Sequence, residues 1–137
     1  QDQITLKHHN LTNGLSYPNT SFIILNLVLQ FIPITKRGPL LVDCYKSLNK
    51  KGALLLIEKI TTENNSFQPI ATTAYETFKH NQGYSKTEIA NKKAALKNVL
   101  IPLKHSENIK LLSESGFSIV ETVFQWYNFS AMIAIKK

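Results

Sequence analysis

Blocks of hydrophobic residues with two different periods alternate along this chain. Residues 21–31 form an almost continuous apolar run that Asn26 and Gln30 interrupt, and residues 53–57 form a shorter run. Continuous apolar runs of strand length are typical of strands that helices cover on both faces of a sheet. The pattern therefore predicts two buried, central strands, with Asn26 near the carboxyl end of the first.

Residues with helical spacing follow the first apolar run. An apolar stripe after Gly38 and Pro39 predicts a helix, and the glycine-containing segment 49–52 is expected to end it. A second helix is predicted over residues 70–79, where apolar side chains recur on one side. The first stripe consists of Leu40, Leu41, Cys44, Tyr45 and Leu48.

Capping residues indicate two further helices. Ser85 and Glu88 have the spacing of a capping box, which predicts a helix up to about Asn98. Ser106 is expected to cap a shorter helix that ends at Gly116.

Both ends of the chain have strand character. Residues 4–7 are a short strand candidate, and residues 117–129 and 130–135 are rich in β-branched and aromatic side chains. The last two segments predict an antiparallel hairpin that turns around residues 126–128. Strand, helix, strand, helices and a terminal hairpin together indicate a single α/β domain over residues 1–137.

Composition sets broad limits on function. The chain has 137 residues, 43% of them hydrophobic, which suffices for one domain with a core. Its formal charge of +7 resides mainly in dispersed lysines, with Arg37 the one arginine, so we expect a solvated surface with weak attraction for nucleic acid at most. The single cysteine, Cys44, lies on an apolar stripe and is expected to be a buried side chain rather than a nucleophile.

Targeting and metal-binding patterns are not found. No leader with a cleavage site is present, and no apolar stretch reaches the roughly 18 residues that a membrane span needs. We therefore expect a soluble, cytoplasmic protein without a membrane partner. The neighbouring His8 and His9 point to opposite faces of an extended chain, and neither His80 nor His105 has a partner at ligand spacing, so no metal site is predicted.

Several segments carry a family resemblance. The order of elements is similar to the second half of a class I S-adenosylmethionine-dependent methyltransferase, which has a Rossmann-like α/β fold. Residues 23–31 and 45–59 closely resemble the carboxy-S-adenosyl-L-methionine synthase family. The resemblance continues in order and spacing through Phe78-Lys79, Asn81-Gln82-Gly83-Tyr84-Ser85, Leu96-Lys97-Asn98-Val99 and Phe124-Gln125-Trp126-Tyr127-Asn128-Phe129.

The resemblance implies an unusual reaction of S-adenosylmethionine (SAM). In this family prephenate supplies a carboxyl group to SAM, phenylpyruvate leaves, and carboxy-S-adenosyl-L-methionine is the product. It also implies a homodimer whose product serves a second enzyme that modifies a wobble uridine in tRNA. Contact of this chain with tRNA is therefore expected only indirectly.

Four candidate cofactor-binding residues follow from the resemblance, and no catalytic residue is assigned. Asn26 matches the family's cofactor-binding asparagine, with a capping or turn role as the alternative. Asn10 and Leu11 align with an acidic residue and an isoleucine that meet the adenine, or else form an ordinary exit from a strand. Lys93 stands where an arginine of the neighbouring subunit holds the new carboxylate, or else is a solvated lysine on a helix. Glu58, after the second buried strand, could face the cofactor crevice, join a salt bridge or cap a helix N-terminus.

Two parts of a class I methyltransferase site have no counterpart in this sequence. A glycine-rich loop and an acidic residue hold the methionine and the ribose of the cofactor, but the five glycines here stand alone. We therefore expect the C-terminal half of a Rossmann-like sheet, with the N-terminal half absent, an exposed apolar edge, self-association and no activity of this chain alone. An ordinary SAM-dependent methyltransferase and a non-catalytic remnant acting by dimerisation remain alternatives.

Overall fold

A mixed sheet of five strands, accompanied by four α-helices, organises residues 3–137, the part of the chain that the computed structural model describes. The strands are β1 (Thr20–Asn26), β2 (Leu48–Thr61), β3 (Leu103–Lys104), β4 (Ile119–Trp126) and β5 (Phe129–Ile135). The helices are α1 (Ile34–Ser47), α2 (Gln68–Asn81), α3 (Lys86–Ala95) and α4 (His105–Glu114), with 3₁₀ turns at Leu11–Asn13, Leu29–Phe31 and Asn65–Phe67.

The strand order β1-β2-β5-β4 combines a parallel and an antiparallel half. β1 runs parallel to β2, with Asn26 opposite Ile57 at the carboxyl end of the pair. On its other side β2 pairs antiparallel with β5, which forms a hairpin with β4, while β3 adds two parallel pairs at the end of β2. The two predicted strands and the terminal hairpin are thus confirmed. The prediction that the first strand is buried and central is wrong, because within residues 3–137 β1 is at the edge of the sheet and Leu25 is its one buried residue.

The core lies on one face of this sheet. Along β2, the residues Leu54 and Leu56 are fully buried, while the residues between them are only partly covered, as expected when one face of a strand is packed. Helices α1 and α4 pack against this buried face. The central side chains of the core are Leu40, Leu41, Cys44, Leu54, Leu56, Leu112, Phe117 and Met132.

The opposite face of the sheet and its β1 edge are open. Phe22 and Ile24 of β1 are 49% and 56% exposed, and β1 pairs on one side only within residues 3–137. At the other end of the sheet, Val123 and Phe124 of β4 are 56% and 59% exposed. The predicted exposed apolar edge is therefore present in this structure.

The capping box that opens α3 is confirmed. The Ser85 hydroxyl accepts a hydrogen bond from the Glu88 backbone N–H at 3.2 Å, and the Glu88 carboxylate accepts one from the Ser85 N–H at 2.8 Å. The helix ends at Ala95 rather than near Asn98, because the chain turns there and Asn98 adopts a φ of 62°.

Two predictions near the amino end are wrong. Residues 4–7 form no strand and are exposed, because no strand in the described part of the chain pairs with them. Helix α1 begins at Ile34 and continues through Pro39, instead of starting after this proline. The missing N–H of Pro39 removes one hydrogen bond near the helix start, where the buried Arg37 side chain anchors the turn.

The predicted glycine stop after α1 is also wrong. Leu48 opens β2 rather than closing the helical stripe, so residues 49–52 belong to a strand. Lys51 has a φ of 63°, which bends the chain into the sheet. Gly52 is needed for close packing, because a Cβ there would lie 2.9 Å from the carbonyl oxygen of Asn49.

Ser106 does not cap α4. The helix begins one residue earlier, at His105, and the backbone N–H of the N-cap residue Lys104 donates to the Glu107 carboxylate at 2.7 Å. Ser106 instead donates its N–H and its hydroxyl to the Glu63 carboxylate, at 2.8 and 2.7 Å. An acidic side chain from the β2–α2 loop therefore satisfies the helix N-terminus, a partner that local sequence does not reveal.

None of the helices in residues 3–137 is both long enough and apolar enough to cross a membrane.

Gly116→Ala is expected to destabilise the fold more than Gly83→Ala. Both glycines have positive φ, 111° and 96°, so either alanine should cost about 1–2 kcal/mol in backbone conformation. A Cβ at Gly116 would also lie 3.2 Å from the Tyr45 ring, whereas one at Gly83 would meet nothing within 4 Å. Urea unfolding should show an extra loss of about 1–2 kcal/mol for Gly116→Ala. Equal losses for the two variants would show that the ring moves aside freely.

Candidate functional site

Asn26 is exposed at the carboxyl end of β1, at the edge of the sheet where open α/β folds bind ligands. The next residue, Leu27, adopts a φ of 56°, which is uncommon for a leucine. Its backbone N–H donates to the carbonyl oxygen of Ile57 at 2.8 Å, which holds the chain reversal against β2. In residues 3–137 no protein group forms a hydrogen bond with the Asn26 amide, so its donor and acceptor are both available.

A buried carboxylate fixes the segment that follows Asn26. Glu58 of β2 is 2% exposed, and its two oxygens accept hydrogen bonds from the backbone N–H groups of Leu29 and Gln30 at 2.8 and 2.9 Å. These N–H groups open the 3₁₀ turn Leu29–Phe31, so Glu58 caps a helix N-terminus. Capping a helix N-terminus is therefore the role that the structure shows for Glu58, rather than facing the cofactor crevice or joining a salt bridge.

Arg37 holds the same segment from the other side. Its guanidinium donates to the carbonyl oxygens of Ile32 at 2.8 Å, Gln30 at 3.1 Å and Ile101 at 2.8 Å. The Gln30 side-chain oxygen in turn accepts a hydrogen bond from the backbone N–H of Lys59 at 3.0 Å. The loop between β1 and α1 is therefore joined to β2 and to the segment before β3 by buried polar contacts. We call Gln30, Arg37 and Glu58 the loop clamp.

Burial raises the pKa of Glu58 to about 7. The hydrogen bonds from Leu29 and Gln30 and the charge of Arg37 act in the opposite direction, but removal from water has the larger effect. The carboxyl group of the loop clamp therefore exchanges its proton near neutral pH.

Asn10 and Leu11 lie away from Asn26, beside helix α1. Leu11 lines a cleft of about 430 Å³ between the 3₁₀ turn Leu11–Asn13 and α1. The Asn10 side-chain oxygen accepts hydrogen bonds from the Thr12 N–H at 3.0 Å and the Thr12 hydroxyl at 2.8 Å. To bind an adenine amino group through this oxygen, Asn10 would have to give up the cap of the turn. Asn26 does not line this cleft.

Lys93 lies on the exposed side of α3, and its ammonium group pairs with the Glu76 carboxylate of α2 at 3.0 Å. It borders a second cleft, of about 380 Å³, between α2 and α3. The candidate residues thus occupy three places: Asn26 at the sheet edge, Leu11 with Asn10 beside α1, and Lys93 on α3. Their roles toward a ligand stay predictions.

Two features of the sequence indicate residues of the loop clamp, although local patterns alone assigned these residues no role. Gln30 interrupts an apolar run, and Arg37 is the one arginine of a lysine-rich chain. A planar guanidinium presents its N–H donors in one fixed plane, an arrangement suited to several carbonyl oxygens around a single side chain. Nothing local indicates Leu27, because its backbone conformation arises from the contact with β2.

Cys44 has no reactive character. It is fully buried in the core, as predicted, and burial raises the pKa of its thiol to about 12. A thiol of this kind is not a nucleophile at neutral pH. In the described range no three side chains of His, Cys, Asp or Glu cluster as metal ligands would.

Comparisons with known proteins show what this chain is similar to. No protein-family model matches the chain. The carboxy-S-adenosyl-L-methionine synthase of Campylobacter jejuni is 44% identical over 113 residues, which cover 82% of this chain and 48% of that protein. The synthase of Campylobacter lari is 38% identical over 134 residues, which cover 98% of this chain and 57% of that protein.

The chain matches the C-terminal portion of the carboxy-S-adenosyl-L-methionine synthase family. A third synthase, from Methylococcus capsulatus, is 37% identical over 97% of this chain and 55% of that protein. The chain therefore spans about half the length of the curated relatives it matches.

Solved structures support the fold. Human N-acetylserotonin methyltransferase in complex with SAM has a TM-score of 0.64 at 18% identity, covering 99% of this chain and 34% of that protein. PigF with SAH has a TM-score of 0.61 at 13% identity, covering 93% and 34%. The predicted fold class, a Rossmann-like class I methyltransferase sheet with a terminal hairpin, is confirmed. SAM or a derivative of it occurs in the names of these relatives and neighbours, and SAM is the cofactor that the resemblance predicts.

Glu58→Gln should change how stability depends on pH. Because folding raises the carboxyl pKa from 4.5 to about 7, the stability that this group contributes is fully present below pH 4.5 and is lost as pH rises through 7. The loss amounts to about 3 kcal/mol at most. The glutamine cannot ionise, but its NH₂ group faces a backbone N–H, which should cost about 1–3 kcal/mol at pH 5.

Urea unfolding at pH 5 and pH 8 checks this expectation. The deficit of Glu58→Gln relative to the unsubstituted chain should shrink or vanish at pH 8. Glu114→Gln is the matched control, because Glu114 is an exposed carboxylate on α4. A deficit for Glu58→Gln that stays constant between the two pH values would contradict the shifted pKa.

Proposed function

We propose that this chain supplies the C-terminal part of the cofactor site of a transferase of the carboxy-S-adenosyl-L-methionine synthase type. The reaction would convert SAM and prephenate into carboxy-SAM, phenylpyruvate and water, because the ring hydroxyl of prephenate leaves as its ring carboxyl group is transferred. The observation that carries the proposal is the free Asn26 amide at the carboxyl end of β1, held on a clamped loop in a chain that matches this family.

Asn26 would orient the cofactor. Its amide offers two N–H donors and one carbonyl acceptor, a set that suits the ribose hydroxyls or the amino-acid part of SAM. The loop clamp holds the backbone next to Asn26 through hydrogen bonds of 2.8–3.1 Å. A ligand would therefore meet a side chain whose support is already ordered, which lowers the entropy cost of binding. SAM itself would supply a methyl group that its sulfonium charge makes acidic.

Lys93 would neutralise the carboxylate that the reaction adds. In the family the equivalent group is an arginine from a neighbouring subunit, so this role goes together with a homodimer. Lys93 would have to leave Glu76, its partner at 3.0 Å, and it would bind as a point charge rather than a planar fork. Selection of carboxylated over ordinary SAM should therefore be weaker than with arginine.

The open side of the sheet supports a need for further polypeptide. Phe22 and Ile24 are exposed on the same face as Asn26, and the β1 edge offers unpaired backbone groups. The glycine-rich loop and the acidic residue that hold SAM in class I methyltransferases are also lacking in this sequence. We therefore propose that the chain is inactive alone and that activity requires a polypeptide covering this face.

An ordinary SAM-dependent methyltransferase is the second candidate. Two observations favour it: Asn10 replaces the family's acidic residue, and Lys93, in place of the arginine, is paired within its own chain. A non-catalytic interaction domain is a third possibility that the exposed edge supports. In the carboxylating form, the product would reach tRNA only through a second enzyme.

Asn26→Ala should weaken SAM binding about tenfold or more, since an alanine removes a hydrogen-bonded amide from the cofactor. Calorimetry would be done on this chain alone and on this chain joined to the part of the Campylobacter jejuni synthase that it does not match. Binding is expected only in the joined form. Asn49→Ala is the matched control, because Asn49 is exposed at the opposite, amino-terminal end of β2.

Two results would remove the cofactor proposal. One is a joined form that is folded but binds no SAM. The other is equal weakening by Asn26→Ala and Asn49→Ala, which would mean that the effect does not arise at the sheet edge.

Mass spectrometry of the joined form with SAM and prephenate separates the first two candidates. Carboxylation should give a product with the mass of SAM plus carbon dioxide, together with phenylpyruvate, and no such product without prephenate. Lys93→Arg should raise the yield of this product, because the planar fork holds a carboxylate with two hydrogen bonds. Consumption of SAM to SAH without a carboxylated product would favour a methyltransferase.

A further inference from the structure

Lysines from separate segments of the sequence meet at the amino end of β2, the end of the sheet opposite to Asn26. The backbone N–H of Lys51 donates to the carbonyl oxygen of Lys136 at 2.8 Å, and the N–H of Lys136 donates to the carbonyl oxygen of Gly52 at 2.9 Å. Residues 136–137 therefore lie beside the start of β2. We call the exposed lysines at this end the basic patch: Lys7, Lys46, Lys50, Lys51 and Lys137.

The end of helix α1 contributes to this patch. The Lys136 ammonium group donates to the carbonyl oxygens of Tyr45 and Leu48 at 2.9 and 2.7 Å, so it satisfies the helix C-terminus. Its Nζ atom also lies 4.8 Å from the centre of the Tyr45 ring. Lys46 is exposed in the same last turn of α1, and Lys50 is exposed two residues after Leu48. Lys136 thus has a structural role, whereas Lys46 and Lys50 are available to a ligand.

An exposed aromatic ring lies at the same end. Tyr17 is 40% exposed, and its backbone N–H donates to the hydroxyl group of Ser47, the last residue of α1, at 3.3 Å. The Nζ atom of Lys7 lies 5.3 Å from the centre of the Tyr17 ring. Because Lys7 is itself exposed, it can move from the ring to a ligand without breaking a buried contact. The basic patch therefore offers an aromatic surface as well as positive charge.

Few carboxylates balance the basic patch. In residues 3–137 the ion pairs within 4.0 Å join α3 to α2 and two residues of α4, so none of them includes a lysine of the patch. Asp43 lies one turn before Lys46 on α1, but its carboxylate accepts a hydrogen bond from the Leu15 N–H at 3.2 Å. Glu121 is on β4, two strands away from β2. Positive charge is thus concentrated here, although the lysines are dispersed along the sequence.

The chemistry of the patch favours one class of anion. Lysine ammonium groups bind phosphates as point charges, without a fixed geometry. Readers of base edges in duplex DNA commonly use arginine, and Arg37, the one arginine, is buried in the loop clamp. An exposed ring stacks on an unpaired base, whereas the bases of a duplex are stacked on one another. Lysines with an adjacent ring therefore match the phosphates and bases of a single strand.

We propose that the basic patch and Tyr17 bind single-stranded nucleic acid without regard to its sequence. Lys46, Lys50 and Lys51 would hold phosphate groups, with Lys7 at the margin, and the Tyr17 ring would stack on one base. The site lies at the opposite end of the sheet from Asn26, so it goes beyond the proposed function and does not depend on it. A chain bound in this way would keep its candidate cofactor edge free.

Fluorescence anisotropy of a labelled oligothymidylate of about ten nucleotides, titrated with this chain, tests the site. Saturable binding is expected, with a dissociation constant of about 1–100 µM at about 50 mM salt. The logarithm of the affinity should fall with that of the salt concentration with a slope of about −2 to −3, as about three or four phosphate contacts predict. A duplex of the same length should bind more weakly, because its bases cannot stack on Tyr17.

Two double variants with the same loss of charge sharpen the test. Lys46→Met with Lys50→Met should weaken binding about five- to tenfold and make the salt slope shallower by about 1. Lys92→Met with Lys97→Met is the matched control, because these exposed lysines lie on α3 and just after it, away from the basic patch. The control should leave the affinity within about twofold, since distant surface charges are screened.

Substitutions of the ring separate stacking from charge. Tyr17→Ala should weaken binding about fivefold or more and leave the salt slope unchanged, because it removes a stacking surface and no charge. Tyr17→Phe keeps the ring and should bind like the unsubstituted chain. Asn26→Ala should leave the affinity for the oligonucleotide unchanged, because Asn26 is at the other end of the sheet.

Four outcomes would overturn the proposal: no saturable binding of the oligonucleotide, tighter binding of the duplex than of the single strand, equal weakening by the two double variants, or full affinity of Tyr17→Ala. Cosedimentation of this chain with phosphatidylserine vesicles, without binding of the oligonucleotide, would also overturn it and would assign the patch to an anionic membrane surface. Failure of the joined form to bind SAM would leave this proposal standing, so the two proposals fail separately.

Discussion

The hydrogen bonds from the backbone N–H groups of Leu29 and Gln30 to the Glu58 carboxylate are the constraint on which the candidate site depends. A carboxylate that is 2% exposed loses its hydration, and these two donors replace part of it. The contact joins the end of β2 to the turn after β1. Without it, the segment after Asn26 would be joined to β2 only by the backbone bond from Leu27 to Ile57 and by the bond from the Lys59 N–H to the Gln30 side chain, and the orientation of Asn26 would be less well fixed.

Arg37 extends the same constraint to the helix layer. Its guanidinium satisfies carbonyl oxygens of the loop and of Ile101, a residue far along the chain, so it ties together segments that the sheet does not connect. A lysine could not bind three carbonyl oxygens in one plane. The arginine also explains how α1 can start before Pro39, since the first turn is anchored by its side chain rather than by backbone hydrogen bonds alone.

The sequence predicted what depends on local pattern. The two apolar runs became β1 and β2, although β1 is an edge strand within residues 3–137 rather than a buried, central one. The Ser85 capping box and the hairpin at residues 126–128 are present. Long-range partners decided the rest: Glu63 reaches the start of α4 in place of Ser106, and residues 4–7 lack a strand to pair with. At the candidate site, the length of the apolar run correctly placed Asn26 near the carboxyl end of β1. The spacing of residues could not predict that the Asn10 side chain accepts a hydrogen bond from the Thr12 N–H, or that Lys93 pairs with Glu76.

One face of the sheet packs against the core, and the other face carries Asn26 of the candidate site. Leu54, Leu56 and Glu58 lie on the covered face, so the loop clamp is built into the core. Asn26 projects from the other face, where Phe22 and Ile24 are exposed. A sheet with one uncovered apolar face gains free energy from any layer that packs on it. A layer on this face would also close over Asn26, so completing the fold and completing the cofactor site would be one event.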